Sequence, residues 1–204
     1  MGPVKLVLAS RNENKLRELR AALPGFEVEL IEADEFPPEE GATYEENARE
    51  KARFGRALAS EDAWVVGEDS GIEAEALGGR PGVRSARWGK PGSGVDRLLA
   101  ELEGERDRRA RYVCELVCLG PGGEELRGRG TLEGTVGHER RGSEGFGYDP
   151  VFVPEGETRT VAQLGNAWKA QHSHRARAAR ALMQALPARP PRAPAGDRGR
   201  RATS

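Results

Sequence analysis

Two cysteines are all that the 204-residue chain contains, and their spacing excludes most of what cysteine does. Cys114 and Cys118 sit four apart in "RYVCELVCL", which reads as a strand. At roughly 3.3 Å per residue they stand about 13 Å apart, against a ceiling of about 7 Å between the Cα atoms of a disulfide. They share one face of that strand, as buried thiols do, and nothing in the sequence calls for zinc or redox chemistry. Long apolar runs are also missing: no stretch of about 18 residues exists to cross a bilayer. The opening "MGPVKLVLASRNENK" lacks the apolar segment and cleavage site of a secretory signal, so a cytoplasmic protein is expected. There is no internal repeat at a solenoid period. Neither the GxxxxGK[ST] phosphate loop nor the GxSxG nucleophile elbow occurs, which excludes a P-loop and argues against a catalytic Ser-His arrangement.

What is present fits one sizeable domain. Hydrophobic residues make up 37% and charged residues 32% of the chain, whose formal net charge is -1. That charge is unevenly placed. Residues 187–204, "PARPPRAPAGDRGRRATS", hold five arginines and one aspartate, a surplus of +4 that leaves residues 1–186 at -5. The tail has no apolar periodicity and reads as a disordered Pro/Arg-rich extension, with at most a weak contact to nucleic acid. Residues 1–186 are expected to form the domain.

Strand and helix patterns alternate through that domain. "VKLVLA" (4–9) is an apolar run of strand length, and the loop "SRNEN" leads to "KLRELRAAL", where Leu16, Leu19 and Leu23 follow helical spacing. "FEVELIEA" is a second strand. Thr43 with Glu46 three residues on predicts a capping box and a helix from Tyr44 to about Ala59, with a small face of Ala48, Ala52, Gly55 and Ala59. "AWVVGE" is a third strand, "VDRLLAEL" a short helix, and 109–136 an antiparallel hairpin around "PGGEE". "YDPVFVP" is a short strand, and "HSHRARAARALMQAL" a closing helix. The order βαβαβ, a β-rich insertion and a final helix predicts an α/β protein with a mixed sheet.

Four polar clusters stand out. Ser10 to Lys15 opens the first helix, where backbone N–H groups and the helix dipole favour an anion; taken alone it is also an ordinary cap. Asn47 and Lys51, four apart, share a face of the second helix, after Glu39 and Glu40. Glu68 and Asp69 end an apolar strand, where ligands of open α/β sheets bind, and a turn at Ser70-Gly71 is expected to bring both carboxylates together as hard ligands for Mg²⁺. The fourth cluster joins "GFGYDPVF", with Phe146 and Tyr148 about Gly147 and beside Asp149, to "KAQHSHRARAARAL", where Ser173, His174 and Arg175 open a helix. Aromatic faces beside an acid suit stacking on a base and reading its edge.

In this order, "LVLASRNENKLRELRAAL", "TYEENAREKA", "GEDSGIEAEALGGRPGVRSARW", "GFGYDPVF" and "KAQHSHRA" resemble the inosine triphosphate pyrophosphatase family, the non-standard purine NTP pyrophosphatases that act on XTP and dITP. The resemblance runs from about Val4 to Leu186. It implies two lobes with an active-site cleft between them, a homodimer, and Mg²⁺-dependent cleavage of a purine nucleoside triphosphate between its α and β phosphates. By position, it places Ser10, Arg11, Asn12, Glu13, Asn14 and Lys15 on the phosphates, with Lys51, Asn47 and Arg87. Asp69 becomes the proposed base and a metal ligand, joined by Glu39 or Glu40 and by Glu68, and Ser70 touches substrate. The base pocket falls to Phe146, Gly147, Tyr148 and Asp149, with Lys169, His174 and Arg175. The first loop reads Ser-Arg-Asn where many members have Thr-Gly-Asn, Glu68 stands where Asp is common, and "AQLGNAWKAQHSHR" loses acids and gains Trp168. A Maf-like pyrophosphatase acting on pyrimidine or modified nucleotides is the alternative within the enzymes, and a nucleotide-binding module without turnover the alternative outside them.

Overall fold

The computed structural model describes residues 4–90 and 92–186; the Pro/Arg-rich tail lies outside the described residues. Six strands form one mixed sheet in the order β2-β1-β3-β4-β5-β6. These are β1 (Val4–Leu8), β2 (Phe26–Leu30), β3 (Trp64–Ala74), β4 (Arg109–Leu119), β5 (Glu125–Val136) and β6 (Phe152–Pro154). β1 runs parallel to both β2 and β3, and β3 to β6 pair antiparallel. The helices are α1 (Glu13–Ala22), α2 (Tyr44–Leu58), α3 (Gly94–Glu101), α4 (Val161–His172) and α5 (His174–Ala185). The α/β class and the mixed sheet are as the alternating patterns predict.

Close approach of helix to strand sets the layers. The capping box starts α2: the Glu46 backbone N–H donates to Thr43 Oγ1 at 3.1 Å, and the Thr43 N–H donates to Glu46 Oε2 at 3.1 Å. The small face then lies directly on β3. A Cβ added at Gly67 would stand 1.9 Å from the Ala48 carbonyl oxygen, so only glycine admits the helix there. Across the sheet, Gly130 of β5 does the same for α5, its missing Cβ falling 2.1 Å from the His174 carbonyl oxygen. Between the sheet and helices α1 and α5 lies one apolar cluster, including Leu6, Leu8, Leu16, Leu19, Leu116 and Leu182. A second gathers Ile72, Leu98, Leu102, Tyr112 and Phe152. Both cysteines are buried and free on β4. No helix among the described residues is long and apolar enough to cross a membrane.

Three local expectations change. The turn at Ser70-Gly71 does not form: β3 continues to Ala74, its residues from Asp69 to Ala74 paired with Glu115 to Ala110 of β4. Antiparallel partners satisfy the backbone groups that a turn would have freed, and the Ser70-Gly71 step does not outweigh that ladder. Helix α4 was not apparent in the sequence, because Gly165 interrupts it with a left-handed φ of 86° and breaks the apolar period. The strand expected over "YDPVFVP" shrinks to Phe152–Pro154, since Tyr148 to Val151 close a turn through the Val151 N–H to Tyr148 carbonyl bond of 3.0 Å.

Candidate active site

Extension of β3 decides how the acidic motif is used. Side chains alternate across a strand, so Asp69 faces α2 while Glu68 and Ser70 face α1 and α5. On the first face, Asn47 Nδ2 donates to Asp69 Oδ2 at 3.0 Å, and Lys51 Nζ donates to Asp69 Oδ1 at 3.1 Å and to the Glu68 carbonyl at 3.0 Å. Lys51 also pairs with Glu39 Oε1, so one ammonium holds two carboxylates. Burial lifts the Asp69 carboxyl above its ordinary range; Lys51 opposes this, and the negative charges of Glu39 and Glu68 add to it. Burial acts the same way on Glu39, but there Lys51, Lys15 and Arg87 prevail and hold it low.

On the second face, buried charges form a closed network. Glu68 Oε2 meets Lys15 Nζ at 2.5 Å, and its Oε1 accepts from Arg175 Nη2 at 2.9 Å. Arg175 Nη2 also donates to Ser70 Oγ at 2.9 Å, and its Nη1 reaches Glu18. Lys169 Nζ lies 2.5 Å from Glu18 Oε1 and 2.6 Å from Asp149 Oδ2. Three cations thus balance three carboxylates. Burial disfavours charge on Glu68, yet Lys15 and Arg175 outweigh it and keep the acid far below its usual range. Glu18 is held low in the same way by Arg175 and Lys169. Phe146 lies against both cations, with Lys169 Nζ 4.6 Å and the Arg175 guanidinium 5.5 Å from its ring centre.

The His174 ring stacks on Tyr112 with centroids 4.5 Å apart and 13° between planes, and Tyr112 donates to Asp149 Oδ1 at 3.2 Å. Burial, with Arg175 and Lys169 close by, pushes His174 well below the ordinary imidazole value, so the ring is neutral. Its Nδ1 is buried without a hydrogen-bond partner among the described residues.

A cavity of about 400 Å³ joins the two groups. Asn12, Lys15, Glu39, Asp69 and Ser70 line one part of it; Phe146 to Asp149, Lys169, His174 and Arg175 line another. The remaining expected residues stand apart from the lining. Ser10 Oγ accepts from the Asn12 N–H, and Asn12 Oδ1 accepts from Asn14 and Lys15, so the chain itself uses several N–H groups of the loop. Arg11 turns outward to the Asp34 carbonyl, Glu13 is exposed, and Asn14 accepts from Arg17. Asn47 and Lys51 act on Asp69. Glu39 faces the cavity and Glu40 is exposed, which separates two neighbours that the sequence left open. Glu68 as a ligand beside Asp69 depended on the absent turn; its carboxylate is enclosed by Lys15 and Arg175 across the strand. Arg87 bonds Glu39 and is not part of the lining.

Two contributors, Tyr112 and Glu18, lie outside the set of residues expected from the sequence. For Glu18 a signal existed: it sits beside Leu19 on the buried side of α1, where an unpaired acid would be costly.

Residues 6–185 match the model of the Ham1 family. The chain belongs to the Ham1 family. Among relatives of this Ham1 chain, a protein named dITP/XTP pyrophosphatase from Symbiobacterium thermophilum is 46% identical over 187 residues, covering 87% of this chain and 92% of that one. A Mycobacterium tuberculosis protein of the same name is 44% identical, covering 85% and 91%. The Ham1 protein of Staphylococcus aureus superposes with a TM-score of 0.77 at 35% identity, over 88% of this chain and 96% of its own. A nucleoside-triphosphatase / dITP/XTP pyrophosphatase from Mycobacterium abscessus gives 0.68 at 39% identity. The family indicated by the five motifs is therefore the right one.

Proposed function

We propose that this Ham1 chain hydrolyses the non-standard purine nucleoside triphosphates dITP, XTP and ITP to a nucleoside monophosphate and pyrophosphate, clearing them from the cytoplasmic nucleotide pool. The observation that carries this reading is the single cavity with a carboxylate pair on Lys51 in one part and a stacked, cation-lined wall in another. Two relatives named dITP/XTP pyrophosphatase point to dITP and XTP among these substrates.

Asp69 is the candidate base. Its raised carboxyl binds a proton more readily than an ordinary aspartate, and Asn47 and Lys51 fix its two oxygens, so that it can draw a proton from a water attacking the α phosphorus. Lys15 lines the cavity and can exchange its contact with Glu68 for phosphate oxygens. Mg²⁺ suits the donor set of Glu39 and Asp69, two hard carboxylates already brought to one cation. No group of three or more His, Cys, Asp or Glu among the described residues is placed to hold a metal alone, so substrate phosphates would complete the shell. Bound there, the ion would neutralise phosphate charge and polarise the phosphorus.

At the other wall, Phe146 offers a stacking face, and Lys169 and Arg175 supply N–H donors where hypoxanthine and xanthine carry a 6-oxo acceptor. The 6-amino group of adenine would set a donor against those cations in place of an acceptor, a mismatch that discriminates in a buried site. Cleavage is tested with a panel of ITP, dITP, XTP, GTP, ATP and pyrimidine triphosphates, each assayed for pyrophosphate and orthophosphate. Pyrophosphate from the first three is expected. Orthophosphate alone would place cleavage at the γ position and refute the reaction, and a pyrimidine preference would favour the Maf-like alternative. The homodimer is part of the same reading and is tested by sedimentation.

A further inference from the structure

Arg87 does not join the cavity wall; its guanidinium is placed on Glu39. Nη1 donates to Glu39 Oε2 at 2.5 Å, and Nη2 donates to the main-chain carbonyl of the same residue at 2.7 Å. Glu39 belongs to residues 31–43, which cross from β2 to α2 without helix or strand. Among the described residues its side chain has one other cationic partner, Lys51, on Oε1. The segment that carries Arg87 is itself fixed. It ends the short 3₁₀ turn Gly82–Arg87, in which Ser85 Oγ accepts from the Ile72 N–H of β3 at 2.9 Å and donates to the Gly82 carbonyl at 2.6 Å. Tyr148 ties the same turn to the base wall through a 2.9 Å bond to the Ser85 carbonyl.

We propose that Arg87 is a positioning residue that holds Glu39 beside Asp69 by gripping both its carboxylate and its backbone, so that a divalent cation meets two acids already paired. This rests on the assignment of Glu39 and Asp69 as the metal carboxylates. The division of oxygens supports it: Oε2 stays on Arg87 while Oε1, next to Asp69 on Lys51, is the one a metal would take. The Nη2 bond to the carbonyl does not involve the carboxylate and persists whichever cation Oε1 meets.

The sign of the effect separates positioning from simple charge. Deleting a positive charge beside a cation site raises metal affinity by Coulomb's law, whereas releasing Glu39 into a loop lowers it. The experiment is Mn²⁺ binding to the nucleotide-free protein, followed by electron paramagnetic resonance with Mg²⁺ competition, for wild type, Arg87→Gln, Arg87→Lys and Glu39→Gln. Arg87→Gln is expected to weaken Mn²⁺ binding about tenfold, with KM for ITP at saturating Mg²⁺ changed less than twofold. Arg87→Lys, which can reach one of the two oxygens, should fall between. Circular dichroism of each variant confirms the fold, and Arg87, with 46% of its side chain exposed, is open to substitution. Unchanged or tighter Mn²⁺ binding in Arg87→Gln, while Glu39→Gln weakens it, would overturn the positioning role alone. Unchanged binding in Glu39→Gln would overturn the metal assignment and this proposal with it.

Discussion

Glu18→Gln removes a single charge from the middle of the buried network, and its cost can be argued from the contacts. Lys169 and Arg175, each 2% exposed, both lean on this carboxylate. After the substitution each keeps one acid, Asp149 at 2.6 Å and Glu68 at 2.9 Å, but three cations then face two carboxylates out of reach of water. Breaking a buried ion pair by removing one partner costs about 3–5 kcal/mol, and the retained acids place this case near the lower figure, about 3 kcal/mol. For a chain of this size that corresponds to a melting point lower by roughly 6–12 °C. Urea unfolding at pH 7 measures it, with exposed Glu13→Gln as the control. Because the folded protein holds Glu18 below its ordinary value, the stabilisation is complete above about pH 4.3 and is lost as pH falls through the depressed folded value. The gap between wild type and Glu18→Gln should therefore narrow in acid. A loss below about 1 kcal/mol at pH 7, or a gap that does not depend on acid, would refute the view that the network needs all three carboxylates.

Asp69→Asn should fold, since Asn47 keeps an oxygen to donate to and Lys51 keeps Glu39 and the Glu68 carbonyl, while turnover falls by about 10²–10⁴; near wild-type rates in a pyrophosphate-release assay would dismiss Asp69 as the base. Gly67→Ala drives a methyl to 1.9 Å from the Ala48 carbonyl and should cost at least about 3 kcal/mol by chemical denaturation, with a stable variant contradicting the packing of α2 on β3. His174 is kept neutral by burial, so the unfolded chain takes up its proton near pH 6.5 while the folded chain does not; stability should fall below that pH with a slope of up to about 1.4 kcal/mol per unit. His174→Phe retains the stack on Tyr112 and should flatten that slope between pH 6.5 and 5, and an unaltered slope would show that the ring is not buried neutral.

Much of the domain was legible because the relevant forces are local. The capping box at Thr43 and Glu46, the apolar runs of β1 and β3 and the hairpin about "PGGEE" each depend on residues a few positions apart, and each forms where expected. α4 escaped because a glycine inside an apolar period removes the signal without ending the element. Ordered motifs also identified the family, since five of them at fitting intervals constrain a chain more than any one spacing can. Of the expected site, Lys15, Glu39, Asp69, Phe146, Lys169 and Arg175 do line one cavity, but their pairing was not legible. Glu68 and Asp69 are adjacent in sequence, and adjacency suggested a shared metal; the ladder to β4 sends them to opposite faces instead.

By itself, then, the sequence determined the class of fold, the family, and several of the acids and cations that line one cavity. Tertiary structure decided their partners. Glu39 rather than Glu40 faces the cavity because a guanidinium 48 residues away grips it, and Glu18 enters the site because α1, α4 and α5 bury its two cations together. Which acid balances which cation depends on distance through the fold and on exclusion of water, and neither quantity is written in the spacing of residues along the chain.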